Sequence, residues 1–238
     1  MEKVLTISKD YLLVPVKKEA EKRLLTFWYG TEKIYEFEIS CVDTEETYPE
    51  DFCAVLPVKK WKGQKIRIEG DVCESLLAAV REKESAVREN SGYIHFVPET
   101  GWINDPNGLI YSEGKYHLYF QHNPVDVNWG NMSWGHAEST DLLHWVQKED
   151  VMFPDENGTM FSGCAILNER GLLGLPKDTP VFFYTVAGSA SEWSKGKKFV
   201  QRIAYSTDQG ETLTKIEENV LEHIEADNRD PKVYWHEE

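Results

Sequence analysis

The sequence predicts an all-β chain: a small N-terminal β-sandwich followed by the first blades of a β-propeller. Residues 4–70 break into short apolar or alternating runs at roughly 8–12-residue spacing with no helical period between them, the pattern of a sandwich. From Tyr93 onward strand-like runs return. Within them Ser139-Thr140-Asp141-Leu142-Leu143-His144-Trp145 is echoed by Ser206-Thr207-Asp208-Gln209-Gly210-Glu211-Thr212-Leu213. Similar turns after similar strands indicate stacked β-units, for which a propeller is the natural architecture.

In chain order, Tyr11 to Val16 is the first clear strand and Arg23 to Tyr29 the second, ending at Gly30-Thr31. Lys33 to Ser40 alternates as a half-buried strand does, Phe52 to Val58 is an apolar run, and Lys65 to Glu69 alternates after the turn at Lys62-Gly63-Gln64. A docking role suits this module best; a sugar-binding role would fall to exposed Trp28 or Trp61. The character then changes. Asp71 with Glu74 reads as a capping box, and Leu76, Leu77, Val80 and Val87 fall near helical spacing, with Arg81-Glu82-Lys83-Glu84 as a solvated face. The expected division is a sandwich over 1–72, a helical linker over 73–92 with its boundary at Asn90-Ser91-Gly92, and a propeller portion over 93–238. In that portion Leu109-Ile110-Tyr111 and Tyr116 to Phe120 flank Ser112-Glu113-Gly114-Lys115, a hairpin by turn chemistry. Gly163–Leu167, Val181–Val186 and Phe199–Ser206 are further strands, and Val233 to His236 reads as one beginning.

The composition bounds the partners. The chain has 238 residues, 41% hydrophobic and 28% charged, as a globular protein should. Asp and Glu number 41 against 26 Lys and Arg, a net charge of −15. That argues against nucleic acid and anionic membrane surfaces and fits a neutral substrate or plain solubility. The four cysteines, Cys41, Cys53, Cys73 and Cys164, lack the Cys-x-x-Cys spacing of zinc or redox sites. Scattered thiols, and a start whose Lys3, Ser8, Lys9 and Asp10 interrupt any leader-like apolar core, predict a cytoplasmic chain; a processed start, as in a secreted protein, would read the same. The seven histidines show no helical His-x-x-x-His pair, so no metal is expected.

The most informative stretch is Gly101-Trp102-Ile103-Asn104-Asp105-Pro106-Asn107-Gly108. Asp105 precedes Pro106, which disfavours αR and holds the carboxylate in an extended or turn conformation; Asn107-Gly108 reads as a turn into the following strand. An indole, an amide and a carboxylate side by side suit a sugar. The stretch resembles the nucleophile motif of glycoside hydrolase family 32, the β-fructosidases. The resemblance continues in the family's order through Phe120-Gln121-His122-Asn123-Pro124, Trp129-Gly130 with Trp134-Gly135-His136-Ala137, Phe161-Ser162-Gly163 and Arg229-Asp230-Pro231.

That resemblance implies a five-bladed propeller and a retaining hydrolysis of β-fructofuranosyl bonds in sucrose, inulin or levan. Asp105 would be the nucleophile and Asp230 the stabiliser of the oxocarbenium-like transition state, with Arg229 keeping Asp230 charged and clamping the substrate. Trp102, Asn104, Gln121, Trp129, Phe161 and Ser162 would contact the sugar. No cofactor is implied, and the partner is the carbohydrate. A nucleophilic carboxylate needs donors around it, for which Asn104 and backbone amides are candidates. Retention requires a second carboxyl group about 5–5.5 Å away as acid/base. The family supplies it from a Glu-Cys motif downstream of Arg-Asp-Pro, and no Glu-Cys dipeptide occurs here. Residues 91–238 also make only about three blades at ~40–50 residues each, so an incomplete propeller is expected. The alternatives are a fructosyltransferase using the same residues and a non-catalytic fructan-binding or vestigial chain. An inverting propeller arabinanase would need wider carboxyl spacing and different motifs.

Overall fold

The computed structural model describes residues 1–84, 95–225 and 227–237. The described residues are all-β apart from one short α-helix and two 3-10 turns, and the contacts divide the chain into two compact units.

The first unit holds two antiparallel sheets. One has the order β1 (Glu2–Thr6), β6 (Lys65–Gly70), β3 (Lys22–Tyr29), β4 (Glu32–Ser40); the other has β5 (Phe52–Pro57), β2 (Tyr11–Val16), β7 (Arg81–Lys83). The alternation read in the sequence places Leu25, Phe27, Phe37, Ile39, Ile66 and Ile68 in the core, with Leu12, Val14, Ala54 and Leu56 from the second sheet. The Tyr35 hydroxyl donates to the Pro57 carbonyl at 2.8 Å, joining the two. Trp61 is buried, its ring 6.0 Å from and edge-on to Tyr35, so it is core rather than a sugar platform. Trp28 is half-buried and donates to Glu69 at 2.7 Å.

The expected linker differs from its reading. The helix α1 (Glu74–Ala79) is six residues long, its N-cap is Cys73, and no side chain caps it, so Asp71 forms no capping box. The charged run after it is a strand. Arg81, Glu82 and Lys83 pair with Leu13, Leu12 and Tyr11, and the Glu82 carboxylate accepts the backbone N–H groups of Ser8 (2.6 Å) and Lys9 (3.0 Å). Arg81 reaches Glu50 at 2.9 Å. Val87 and Asn90-Ser91-Gly92 lie outside the described residues.

Two later segments also belong to the first unit: Glu99–Trp102 and Asn123–Asn131. The second is held there by the fully buried Asp126, which accepts from Ser40 Oγ at 2.5 Å and from the Asn128 N–H at 3.1 Å. Asn131 pairs with the Glu38 backbone through both its amide atoms, at 2.8 and 2.9 Å. The sequence boundary near residue 93 therefore misassigns Trp102 and Trp129.

The second unit contains two four-stranded antiparallel sheets with the simple up-and-down order of propeller blades. The first runs β8 (Trp102–Ser112), β9 (Lys115–Asn123), β10 (Ser133–Ser139), β11 (Trp145–Gln147). The second runs β12 (Thr159–Leu167), β13 (Pro180–Ala187), β14 (Val200–Tyr205), β15 (Thr214–Leu221). Length alone predicted about three. The hairpin at 112–115 is as read: Glu113 (φ 50°) and Gly114 (φ 85°) both take positive φ, the demand of a type I′ turn. The repeated Ser-Thr-Asp is the same device in both sheets, joining third strand to fourth. Ser139 Oγ accepts from the N–H groups of Asp141 and Leu142, and Ser206 Oγ from those of Asp208 and Gly210. The residue after each aspartate region, Leu142 or Gln209, is left-handed. Tyr119, Trp134, Met152, Met160, Phe182, Tyr184, Val186 and Ala204 form the core. Val233 to His236 is not in a strand: the Val233 N–H donates to Cys164 Sγ at 3.1 Å and the Trp235 indole to the Leu167 carbonyl at 3.1 Å, so these groups spend their donors on β12.

Candidate active site

The motif around Asp105 does not reverse the chain. It lies inside β8, which runs straight through Pro106, Asn107 and Gly108. Gly108 is left-handed (φ 49°), and a Cβ there would come within 3.0–3.1 Å of the rings of Tyr119 and Phe182. Glycine is needed for backbone geometry and close approach, and the strand continues because both demands are met without a turn. This carries the Asp105 side chain to an exposed position.

A donor comes from β12: Ser162 Oγ donates to Asp105 Oδ2 at 2.7 Å. Behind the serine lies a buried chain of amides. With the Asn107 oxygen turned to Gln121, it accepts from Nε2 (3.1 Å) and the backbone N–H (3.3 Å), and its nitrogen then donates to Ser162 Oγ at 3.3 Å. Gln121 also donates to the Met160 carbonyl at 2.8 Å. Gln121 and Asn107 are 2% and 1% exposed; the family resemblance implies a substrate contact for Gln121, and the composition around Asn107 reads only as a turn. Buried amides persist when their hydrogen bonds are made, and here those bonds end on the carboxylate. Phe161 is half-buried, its ring 5.6 Å from and edge-on to Phe199.

Asp230 is left-handed, with φ 62°. Its N–H donates to Thr185 Oγ1 at 2.9 Å. Burial raises its carboxyl above the ordinary value, Arg229 opposes that, and the charge of Asp105 adds to the rise. Arg229 Nε stands 3.5 Å from Asp230 Oδ2, with both side chains about half exposed. A shallow cleft of about 260 Å³ is lined by Pro106–Leu109, Ser162–Ala165 and Asp230–Lys232. The structure therefore brings Asp105, Ser162, Asp230 and Arg229 to one locality. Asn104 is exposed beside Asp105 in the same strand. Trp102 and Trp129 are placed within the first unit, Trp129 53% exposed.

One group of metal-type donors comes together among the described residues: His117, His136 and Glu138. Their atoms serve one another. His117 Nδ1 and His136 Nε2 share a hydrogen bond at 3.1 Å, and Glu138 is engaged by Lys115 at 2.8 Å and Lys148 at 3.8 Å. The His136 ring stacks on Tyr119 at 4.4 Å. Burial pushes the His136 imidazole down to about 3 and lowers His117 as well.

Residues 95–238 match the Glycosyl hydrolases family 32 N-terminal domain. The chain belongs to glycosyl hydrolase family 32. It is 43% identical over 148 residues to a levanase of Bacillus subtilis, covering 60% of this chain and 21% of the levanase. It is 41% identical over 154 residues to an invertase of Schizosaccharomyces pombe, covering 60% and 26%. Among solved structures, the β-fructofuranosidase of Schwanniomyces occidentalis complexed with fructosyl-erythritol superposes with a TM-score of 0.54 at 38% identity, covering 62% of this chain and 30% of that one. The family 32 chain thus spans between a fifth and a third of the length of these relatives.

Proposed function

We propose that this chain supplies the nucleophile and the transition-state stabiliser for retaining cleavage of β-fructofuranosyl bonds in sucrose or fructans. The observation that carries the reading is the Asp105 carboxylate, held by Ser162 at 2.7 Å, with its charge felt by Asp230. Asp105 attacks the anomeric carbon of the fructosyl unit and a fructosyl ester forms as the bond to the leaving oxygen breaks; that oxygen keeps the bonding pair and takes a proton from an acid/base carboxyl group, a role this reading gives to neither Asp105 nor Asp230. Asp230 offsets the positive charge that develops on the ring, an electrostatic role that grows towards the transition state. Arg229, Asn104 and Phe161 bind the sugar in this reading. Gln121 acts from behind, through Asn107 and Ser162. The work is done in the cytoplasm, where the four unpaired cysteines stay reduced.

The test uses β-fructofuranosyl fluoride, whose fluoride departs with the bonding pair and needs no proton. The test therefore reads Asp105 by itself. The expected result is a protein mass increased by one fructosyl unit, mapped to the peptide carrying Asp105, and no adduct on Asp105→Asn. An unlabelled wild-type chain, or equal labelling of the variant, would overturn the assignment.

A further inference from the structure

The segment carrying Asp230 is pinned by two buried side chains that no motif contains. Thr185 in β13 is fully buried and lies directly across the ladder from Gln201 in β14, itself 6% exposed. The Thr185 hydroxyl donates to Gln201 Oε1 at 2.7 Å and accepts from the Asp230 N–H at 2.9 Å. The Gln201 Nε2 donates to the Asn228 carbonyl at 3.0 Å. The pair thus holds the backbone acceptor on one side of Arg229 and the backbone donor on the other.

The need for this is local. A non-glycine residue at φ 62° is strained and persists only where its surroundings over-determine it. Pro231 has no N–H, so the Asp230 amide is the donor these two residues have to offer, and it is spent on Thr185. The hydroxyl is suited to this because it donates and accepts at once. A valine of the same shape would leave the Asp230 N–H and Gln201 Oε1 without that partner.

We propose that Thr185 and Gln201 are positioning residues for Asp230, fixing the strained backbone from which its carboxylate meets the fructosyl ring. This rests on the reading of Asp230 given above.

The experiment compares Thr185→Val, Thr185→Ser and Gln201→Met in the full chain by two measurements. These are hydrogen exchange of the Asp230 amide and the rate of fructosyl ester formation from β-fructofuranosyl fluoride. Thr185→Val should speed Asp230 exchange and slow ester formation, each by about tenfold, the scale of one hydrogen bond. Amides of β13 and β14 should stay at wild-type rates. Thr185→Ser, which keeps the hydroxyl, should restore both. Gln201→Met leaves that hydroxyl in place and should move both readouts the same way by less, which keeps the test decisive if Thr185→Val does not fold. Unchanged Asp230 exchange in the valine and methionine variants overturns the clamp. Faster exchange with a wild-type ester rate overturns its role in positioning. A wild-type chain that forms no ester defeats the functional reading instead, and the exchange measurement still decides the clamp.

Discussion

Acid should destabilise the second unit through His136, and the size of the effect follows from its surroundings. The ring is fully buried, stacked on Tyr119 and bonded to another histidine. Its pKa falls from an ordinary 6.5 to about 3. The folded state therefore favours the neutral ring, whereas the unfolded chain takes up a proton near 6.5. A base with a depressed folded pKa gives stability that is complete above the unfolded pKa and is lost as pH falls towards the folded one. The window is pH 6.5 down to about 3. At about 1.4 kcal/mol per pH unit, one buried ring loses about 2 kcal/mol between pH 7.5 and 5. His117, also lowered by burial, pulls in the same direction. Urea midpoints followed by tryptophan fluorescence across this range give the slope. His136→Gln keeps a polar atom beside His117 but cannot take up the proton, so the variant should be less stable at pH 7.5 and much flatter with pH. A variant slope as steep as wild type would refute the argument, because the proton would then be binding elsewhere.

Three further predictions concern the strand pair that carries the site. Ser162→Ala removes a donor to Asp105 and should slow fructosyl ester formation by about 10–100-fold, the worth of a hydrogen bond to a charged group, and it should lower stability by about 1–3 kcal/mol because the buried Asn107 amide loses an acceptor. Gly163→Ala would place a Cβ 2.0 Å from the Phe183 carbonyl oxygen and 2.8 Å from Tyr184 Cα. No side-chain rotation relieves a backbone clash, so β12 must part from β13, and calorimetry should show a loss of about 3 kcal/mol. Phe182→Ala empties a fully buried site whose ring lies 4.9 Å from Tyr119 and 6.3 Å from Trp134, and should cost about 3–5 kcal/mol in a denaturant titration.

Much of this was legible in the sequence, for physical reasons that can be named. The strands of the first unit show because one face of each is buried and the side chains alternate. The hairpin at Glu113-Gly114 shows because only certain residues accept positive φ at both positions. The paired Ser-Thr-Asp turns show because each serine and aspartate caps backbone N–H groups that a strand end leaves open. What escaped was set by distant contacts. Asn107-Gly108 has the composition of a turn, yet the packing of Tyr119 and Phe182 against Gly108 keeps the strand running. Arg81-Glu82-Lys83 has the composition of a solvated helix face, yet backbone donors some seventy residues earlier capture Glu82. Trp129 follows a motif of the second unit, but Asp126 ties its segment to Ser40. Thr185 and Gln201 carry no local signal, since their meaning lies in a carbonyl and an amide from another part of the chain.

The short strand β7 has a practical consequence for anyone dividing this polypeptide. Cutting after residue 72, where the composition changes, would strip Arg81–Lys83 from β2 and leave the outer rim of Tyr11, Leu12 and Leu13 with open hydrogen-bonding groups. Leu12 is wholly buried in the intact fold. A bare strand rim beside apolar side chains is a template for pairing with another molecule. The isolated module cut there should self-associate, whereas one carried through Glu84 keeps its own seal.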